Sequence, residues 1–131
     1  MPWTRCDNGR MNVTRAADTT AQEMDASHFT GRVSAHDLGS YDAPDGSVLV
    51  VSFPPGVHSH WHRHPGGQFL YVTEGQARVG TRDGRVAEVG VGDLVHAPPG
   101  EEHWHGAAAH TRASHLAVSL GTTEWLEPLE E

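Results

Sequence analysis

Lysine is absent from these 131 residues, and the nine arginines are scattered rather than clustered. A chain that neutralises nucleic-acid phosphates needs a basic stripe, and none is present, so nucleic acid is excluded as an expected partner. With a formal net charge of −8, the surface favours solubility and disfavours anionic partners. Cysteine is nearly absent too. The single Cys6 rules out an internal disulfide framework and fits a reducing, cytoplasmic setting. No apolar run is long enough to span a bilayer, and the first residues carry no signal-peptide pattern, so no membrane association is expected.

What the chain has in excess is histidine. There are eleven, and nine lie between His58 and His115. Residues 1–26 are polar, without a sustained helical or strand period, and read as an N-terminal arm. Met11 resembles a start as much as Met1 does, so the first ten residues are read as an extension.

From Phe29 onward the pattern is one of short β runs, among them SVLVVSFP, HSHWHRH, QFLYVT, QARVGTR, DLVHAP, HWHGAA and ASHLAVSL. Between them stand turn signals such as PPG, PGG, RDG and VGD. This predicts a single all-β domain over 27–127, a small antiparallel barrel or jelly roll, with an acidic tail at 128–131. Only TTEWLEPLEE suggests a helical turn, which Pro128 would end.

In HSHWHRHPGGQ (58–68), strand alternation would put His58, His60, His62 and His64 on one face. They cannot all hold one ion, because a strand rises ~3.3 Å per residue and the outer two would stand roughly 20 Å apart. Spacing against glycines distinguishes them. The chain reads Gly56-x5-His62-x-His64-x3-Gln68-x6-Gly75, and later Gly92-x5-Pro98-x-Gly100-x2-His103.

These two segments resemble the two motifs of the cupin superfamily, whose β-jelly-roll barrel holds a divalent metal. The resemblance implies His62, His64, Gln68 and His103 as ligands. Gln68 stands where the usual pattern has glutamate, and Ala107 where the second motif usually ends in asparagine. A neutral amide oxygen would leave the full charge on the ion, making a stronger Lewis acid and a less easily oxidised metal. Read structurally instead, Gln68 is a polar residue at a strand start, and three histidines make the site.

HRHPGGQ, EEHWHGAA (101–108) and SHLA (114–117) further resemble the bacterial manganese-dependent hydroxynitrile lyases of cupin type, over about Met11 to Trp125. That resemblance implies cyanohydrin cleavage or formation and manganese, with iron, nickel or zinc compatible with the donors. It implies His115 as the proton-transfer residue and His105 as a second pocket histidine. Each has an alternative reading as a residue that only orients a neighbour. The expected partners are a small molecule, such as an aromatic aldehyde or its cyanohydrin, and a second copy in a homodimer, joined through an edge strand of the N-terminal arm. His58 and His60 are expected at the barrel rim, and Trp61 and Trp104 to point away from the metal. Competing readings are a metal-dependent dioxygenase, an enol isomerase or cyclase, and a non-enzymatic binding module.

Overall fold

The computed structural model describes residues 11–42 and 44–130, so Cys6 and the first ten residues lie outside it. Its strands are β1 (Gln22–Glu23), β2 (Ser34–Asp42), β3 (Asp45–Phe53), β4 (His62–Arg63), β5 (Gln68–Thr81), β6 (Val86–Gly90), β7 (Leu94–Ala97), β8 (His103–Ala107), β9 (Ala113–Leu120) and β10 (Glu124–Trp125). All pairings are antiparallel, in the order β1-β2-β3-β9-β5-β8-β4-β10, with β6 and β7 also on β5. Among the described residues, the only helical pieces are two single 3-10 turns, Ala16–Asp18 and Ala26–His28. Among the described residues, no helix is long and apolar enough to cross a membrane.

β5 organises the curl. The runs QFLYVT and QARVGTR, expected as two strands, form one. Its first half pairs with β7 and β9, and its second half with β6 and β8. The bend falls at a register shift between Val72 and Glu74, next to Gly75 at φ 70°. A side chain at Gly75 would meet the Arg112 carbonyl, so only glycine lets the two backbones approach there. β9 shows the alternation of a half-buried strand: Ala113, His115, Ala117 and Ser119 are buried, whereas Leu116, Val118 and Leu120 are partly exposed. Inside the curl, Phe29, Val51, Phe53, Leu70, Val72 and Ala117 form the apolar core.

Three expectations are corrected. HSHWHRH is not one strand, since only His62–Arg63 is regular and His58 and Ser59 make isolated bridges to Gly106 and Phe29. His58 is not at a rim either. It is buried, its Nε2 lies 3.1 Å from the Ala107 carbonyl, and its ring packs on Trp104. The C-terminus forms no helical turn: β10 pairs with β4, placing Trp125 opposite His62. An exposed ion-pair network holds it there. Arg63 bonds Glu124 and Glu102, while Arg82 bonds Glu102 and Glu127 and stacks 4.0 Å over Trp61. Each such pair contributes little, and the network as a whole fixes the segment.

Candidate metal centre

Register builds the site. β4 and β8 set His62 directly opposite His103. His64 follows two residues later and carries the same parity. Gln68 opens β5 directly opposite Ser119 of β9, so both side chains point inward. The possible ligand atoms of His62, His64 and His103 all lie within 4.8 Å of one another, and all three residues are buried.

Each imidazole is oriented from behind. Nδ1–H of His62 donates to the His60 carbonyl at 2.8 Å, and Nδ1–H of His103 donates to the Glu101 carbonyl at 2.9 Å. Nδ1 of His64 lies 3.1 Å from Thr123 Oγ1. These contacts turn the Nε2 lone pairs inward, as metal-ligating histidines require. The amide of Gln68 donates from Nε2 to Ser119 Oγ at 2.9 Å, which aims Oε1 at His103 Nε2, also 2.9 Å away. In the tautomer set by Glu101, both facing atoms are acceptors. Meanwhile Nε2 of His64 is buried with no hydrogen-bond partner. An orphaned acceptor beside two opposed acceptors fits a shared cation, which would satisfy all three at once.

Protonation is a poor substitute for that cation. Burial holds the imidazoles of His62, His103 and His105 below the usual histidine range, and brings His64 and His115 to about 4. The donor set is neutral throughout, three imidazoles and an amide, because no carboxylate lines the site.

Beside these residues lies a cavity of about 80 Å³. Its apolar wall comes from Met24, Phe29, Leu49, Val51, Ala117 and Trp125, and its polar wall includes His62, His64, Gln68, His105 and Ser119. Larger concavities, such as a groove of about 350 Å³ beside Arg32 and Arg112, gather no converging histidines. His105 and His115 are both buried and joined, His105 Nδ1 to His115 Nε2, at 3.1 Å. They are not equivalent: His105 lines the cavity, and His115 stands behind it, packed on Phe53.

The structure thus brings His62, His64, Gln68 and His103 into one cluster, with His105 on its edge and His115 one hydrogen bond further out. His60 is left outside; its Nδ1 accepts from Leu129 N. Three contributors escaped sequence reasoning. Thr123 and Trp125 lie in a segment read as a helical turn, and Met24 lies in a segment read as an arm. The indole of Trp125 stacks on His28 at 3.9 Å and leans on His62 at 4.7 Å, closing one end of the cavity. No local sequence signal marks these positions, because chain reversal alone brings them to the site.

Comparison with known proteins places this geometry. A cupin domain matches residues 49–119, which include every residue of the cluster. The chain is 40% identical over 124 residues to the (R)-mandelonitrile lyase of Granulicella tundricola, covering 89% of this chain and 93% of that protein. It is 36% identical to a cupin-like protein from Thermotoga maritima, with a TM-score of 0.78 over 84% of this chain and 87% of that one. The polyketide cyclase RemF from Streptomyces resistomycificus shares the fold at 21% identity, with a TM-score of 0.72 over 93% of this chain and 87% of its own. With an all-β curled antiparallel sheet, both motifs in place and a relative this similar over nearly its whole length, the chain belongs to the cupin domain family.

Proposed function

We propose that the protein is a metal-dependent lyase that cleaves or forms cyanohydrins, with His62, His64, Gln68 and His103 as the metal ligands. The observation that carries the reading is the likeness to an (R)-mandelonitrile lyase across nearly the whole chain. Its support in this chain is the neutral donor cluster beside a largely apolar cavity and a buried histidine pair. Manganese is the ion the resemblance implies, and the same donors suit iron, nickel or zinc. A bound divalent cation supplies Lewis acidity toward the oxygen or the departing cyanide of a cyanohydrin.

The remaining work falls to the chain. Leu49, Val51, Ala117 and Trp125 bind an aromatic or aliphatic side group by apolar contact. His105, on the cavity wall, takes the hydroxyl proton, and its hydrogen bond to His115 steadies the charge it acquires. As the oxygen–hydrogen electron pair becomes the carbonyl π bond, the carbon–carbon bond breaks and its electrons leave with cyanide. The proton held on the pair then passes to cyanide, so aldehyde and hydrogen cyanide depart with no net change in the protein. Enclosure by Trp125 and Phe29 keeps water from competing for that proton. The cytoplasm is the compartment we infer, from the lone cysteine.

The test is benzaldehyde release from mandelonitrile by protein loaded separately with manganese, iron, nickel and zinc, beside a His62→Ala control. Release that needs both His62 and a particular metal supports the lyase. Fully loaded protein that releases nothing removes cyanohydrins from consideration.

A further inference from the structure

We propose that residues 121–129 form a hinged strap over the histidine cluster, which opens to admit substrate and on closing sets two side chains against the cluster. The inference rests on the cyanohydrin reading only for the substrate used to probe it, since any ligand of the cavity needs the same access.

Size makes a moving wall necessary. The cavity beside the cluster holds about 80 Å³. A benzene ring alone fills a cavity of about 150 Å³, and the cyanohydrin of benzaldehyde is larger still. One wall must therefore yield before an aromatic substrate enters. The sheet wall is poorly suited to this, because Val51, Ala117 and Ser119 are buried on β3 and β9, which pair along the whole of β9. By contrast, no residue of 121–129 is buried, although Thr123 and Trp125 line the cavity. Met24, just after β1, is the other half-exposed wall outside the main sheet, and the test below separates the two.

Anchoring changes at Gly121. Both backbone groups of Leu120 are held, its N–H by the Gly67 carbonyl at 3.0 Å and its carbonyl by Gly66 N–H at 2.8 Å. Gly121 N–H donates to the Asp45 carbonyl at 2.8 Å, and its φ of 84° is a left-handed turn that glycine adopts without strain. Beyond it the backbone is tied by the two-residue ladder of β10 on β4. Leu126 N–H to the Trp61 carbonyl at 2.8 Å and Trp61 N–H to the Glu127 carbonyl at 3.2 Å extend that ladder. The remaining ties are ion pairs at the surface, Arg63 to Glu124 at 2.8 Å and Arg82 to Glu127 at 2.7 Å, between side chains 38% to 60% exposed. Exposed pairs are weak and screened by salt. An edge segment held in this way opens locally, at far less cost than unfolding the domain.

Closure acts on the cluster. Thr123 Oγ1 lies 3.1 Å from His64 Nδ1, and the Trp125 indole leans on His62 at 4.7 Å. The indole is itself stacked on His28 at 3.9 Å with the two planes only 8° apart, so the closed position is a defined seat. An open strap leaves the His64 imidazole without the contact behind it, and such contacts orient ligating histidines. Loading the cavity and aligning His64 therefore belong to different positions of one segment: open to exchange substrate and product, closed to react.

The test locks the strap. Arg63 and Glu124 are direct cross-strand partners, and such partners stand ~5 Å apart at Cα, within reach of a disulfide. In a Cys6→Ser background, the Arg63→Cys, Glu124→Cys variant is compared oxidised and reduced, with folding followed by circular dichroism. A Glu23→Cys, Ser34→Cys control locks the arm that carries Met24 instead. Oxidation of the strap pair should lower kcat/KM for mandelonitrile at least ~10-fold, reduction should restore it, and the arm control should stay within ~2-fold. Equal values in the two redox states, or a loss confined to the arm control, would overturn the proposal. Amide hydrogen exchange, read by mass spectrometry on the same full-length proteins, needs no substrate. Peptides spanning 121–129 should exchange at least ~100-fold faster than those of β9, faster still in ~1 M sodium chloride, and slowly once the disulfide has formed. Strap amides as protected as those of β9 would also overturn it. If neither redox form turns over while the strap exchanges as described, the cyanohydrin reading fails and the strap stands.

Discussion

The amide of Gln68 is held by Ser119: its Nε2 donates to Ser119 Oγ at 2.9 Å, with Oε1 turned toward His103 Nε2, also at 2.9 Å. The two residues are direct cross-strand partners of β5 and β9, so the sheet's register sets the orientation of a neutral oxygen donor.

Replacing Ser119 with alanine should free that amide while leaving the three imidazoles in place. Metal affinity is expected to fall ~10- to 100-fold, as for other residues that orient a ligand. Calorimetric titration of the apo-protein checks this. An affinity equal to that of the unaltered chain would remove Gln68 from the proposed ligand set.

Substitution of His103 is expected to act more severely. His103→Ala leaves two imidazoles and one amide, and stoichiometric metal after dialysis should be lost in elemental analysis. His115→Ala, by contrast, should retain its metal, because His115 is separated from the cluster by His105.

The histidine pair predicts a graded effect on turnover. His105 lines the cavity and His115 does not. His105→Ala should therefore lower kcat by ~10²- to 10⁴-fold, the usual scale for loss of a general base. His115→Asn keeps a hydrogen-bonding group behind His105 and should cost less than His115→Ala. Equal losses for Asn and Ala, read by steady-state kinetics with metal content checked, would argue against a role exerted through that bond.

Stability of the metal-free protein should fall with acid. The His115 imidazole titrates at about 4 when folded, because burial opposes its charge, but near 6.5 when the chain is unfolded. Between those values the unfolded state binds the extra proton, so the stabilisation is complete above pH 6.5 and is lost as pH falls toward 4. This histidine alone accounts for on the order of 3 kcal/mol. The buried neighbours His62, His103 and His105 shift in the same direction and add to the loss. Denaturant titrations at successive pH values should show the decline, and His115→Asn should flatten it.

Trp125 closes one end of the cavity against His28 and His62. Trp125→Ala is expected to destabilise the fold by about 2 kcal/mol through lost packing. It should also shift kcat/KM toward ring-substituted mandelonitriles by ~10-fold relative to mandelonitrile itself. A preference unchanged between the two substrates would place the substrate's side group elsewhere.

Much of the site was legible in the chain, because motif spacing and strand parity are properties of local sequence. The separations Gly56–His62 and Gly92–His103 marked the candidate ligand pair and its distant partner, and alternation along ASHLAVSL marked His115, Ala117 and Ser119 as one face. The sequence by itself determined the all-β class and the candidate ligands, the neutral amide of Gln68 among them. Only the tertiary structure decided what lies in front and what behind. It put His105 on the cavity wall with His115 behind it, buried His58 against Trp104, and joined two expected strands through the bend at Gly75. It also brought Thr123 and Trp125 from a segment expected to hold a helical turn onto His64 and His62. Periodicity tells which side of a strand a residue faces. Depth beneath that face, and which remote segment covers it, follow from how the sheet curls and where the chain reverses, and no local pattern encodes those.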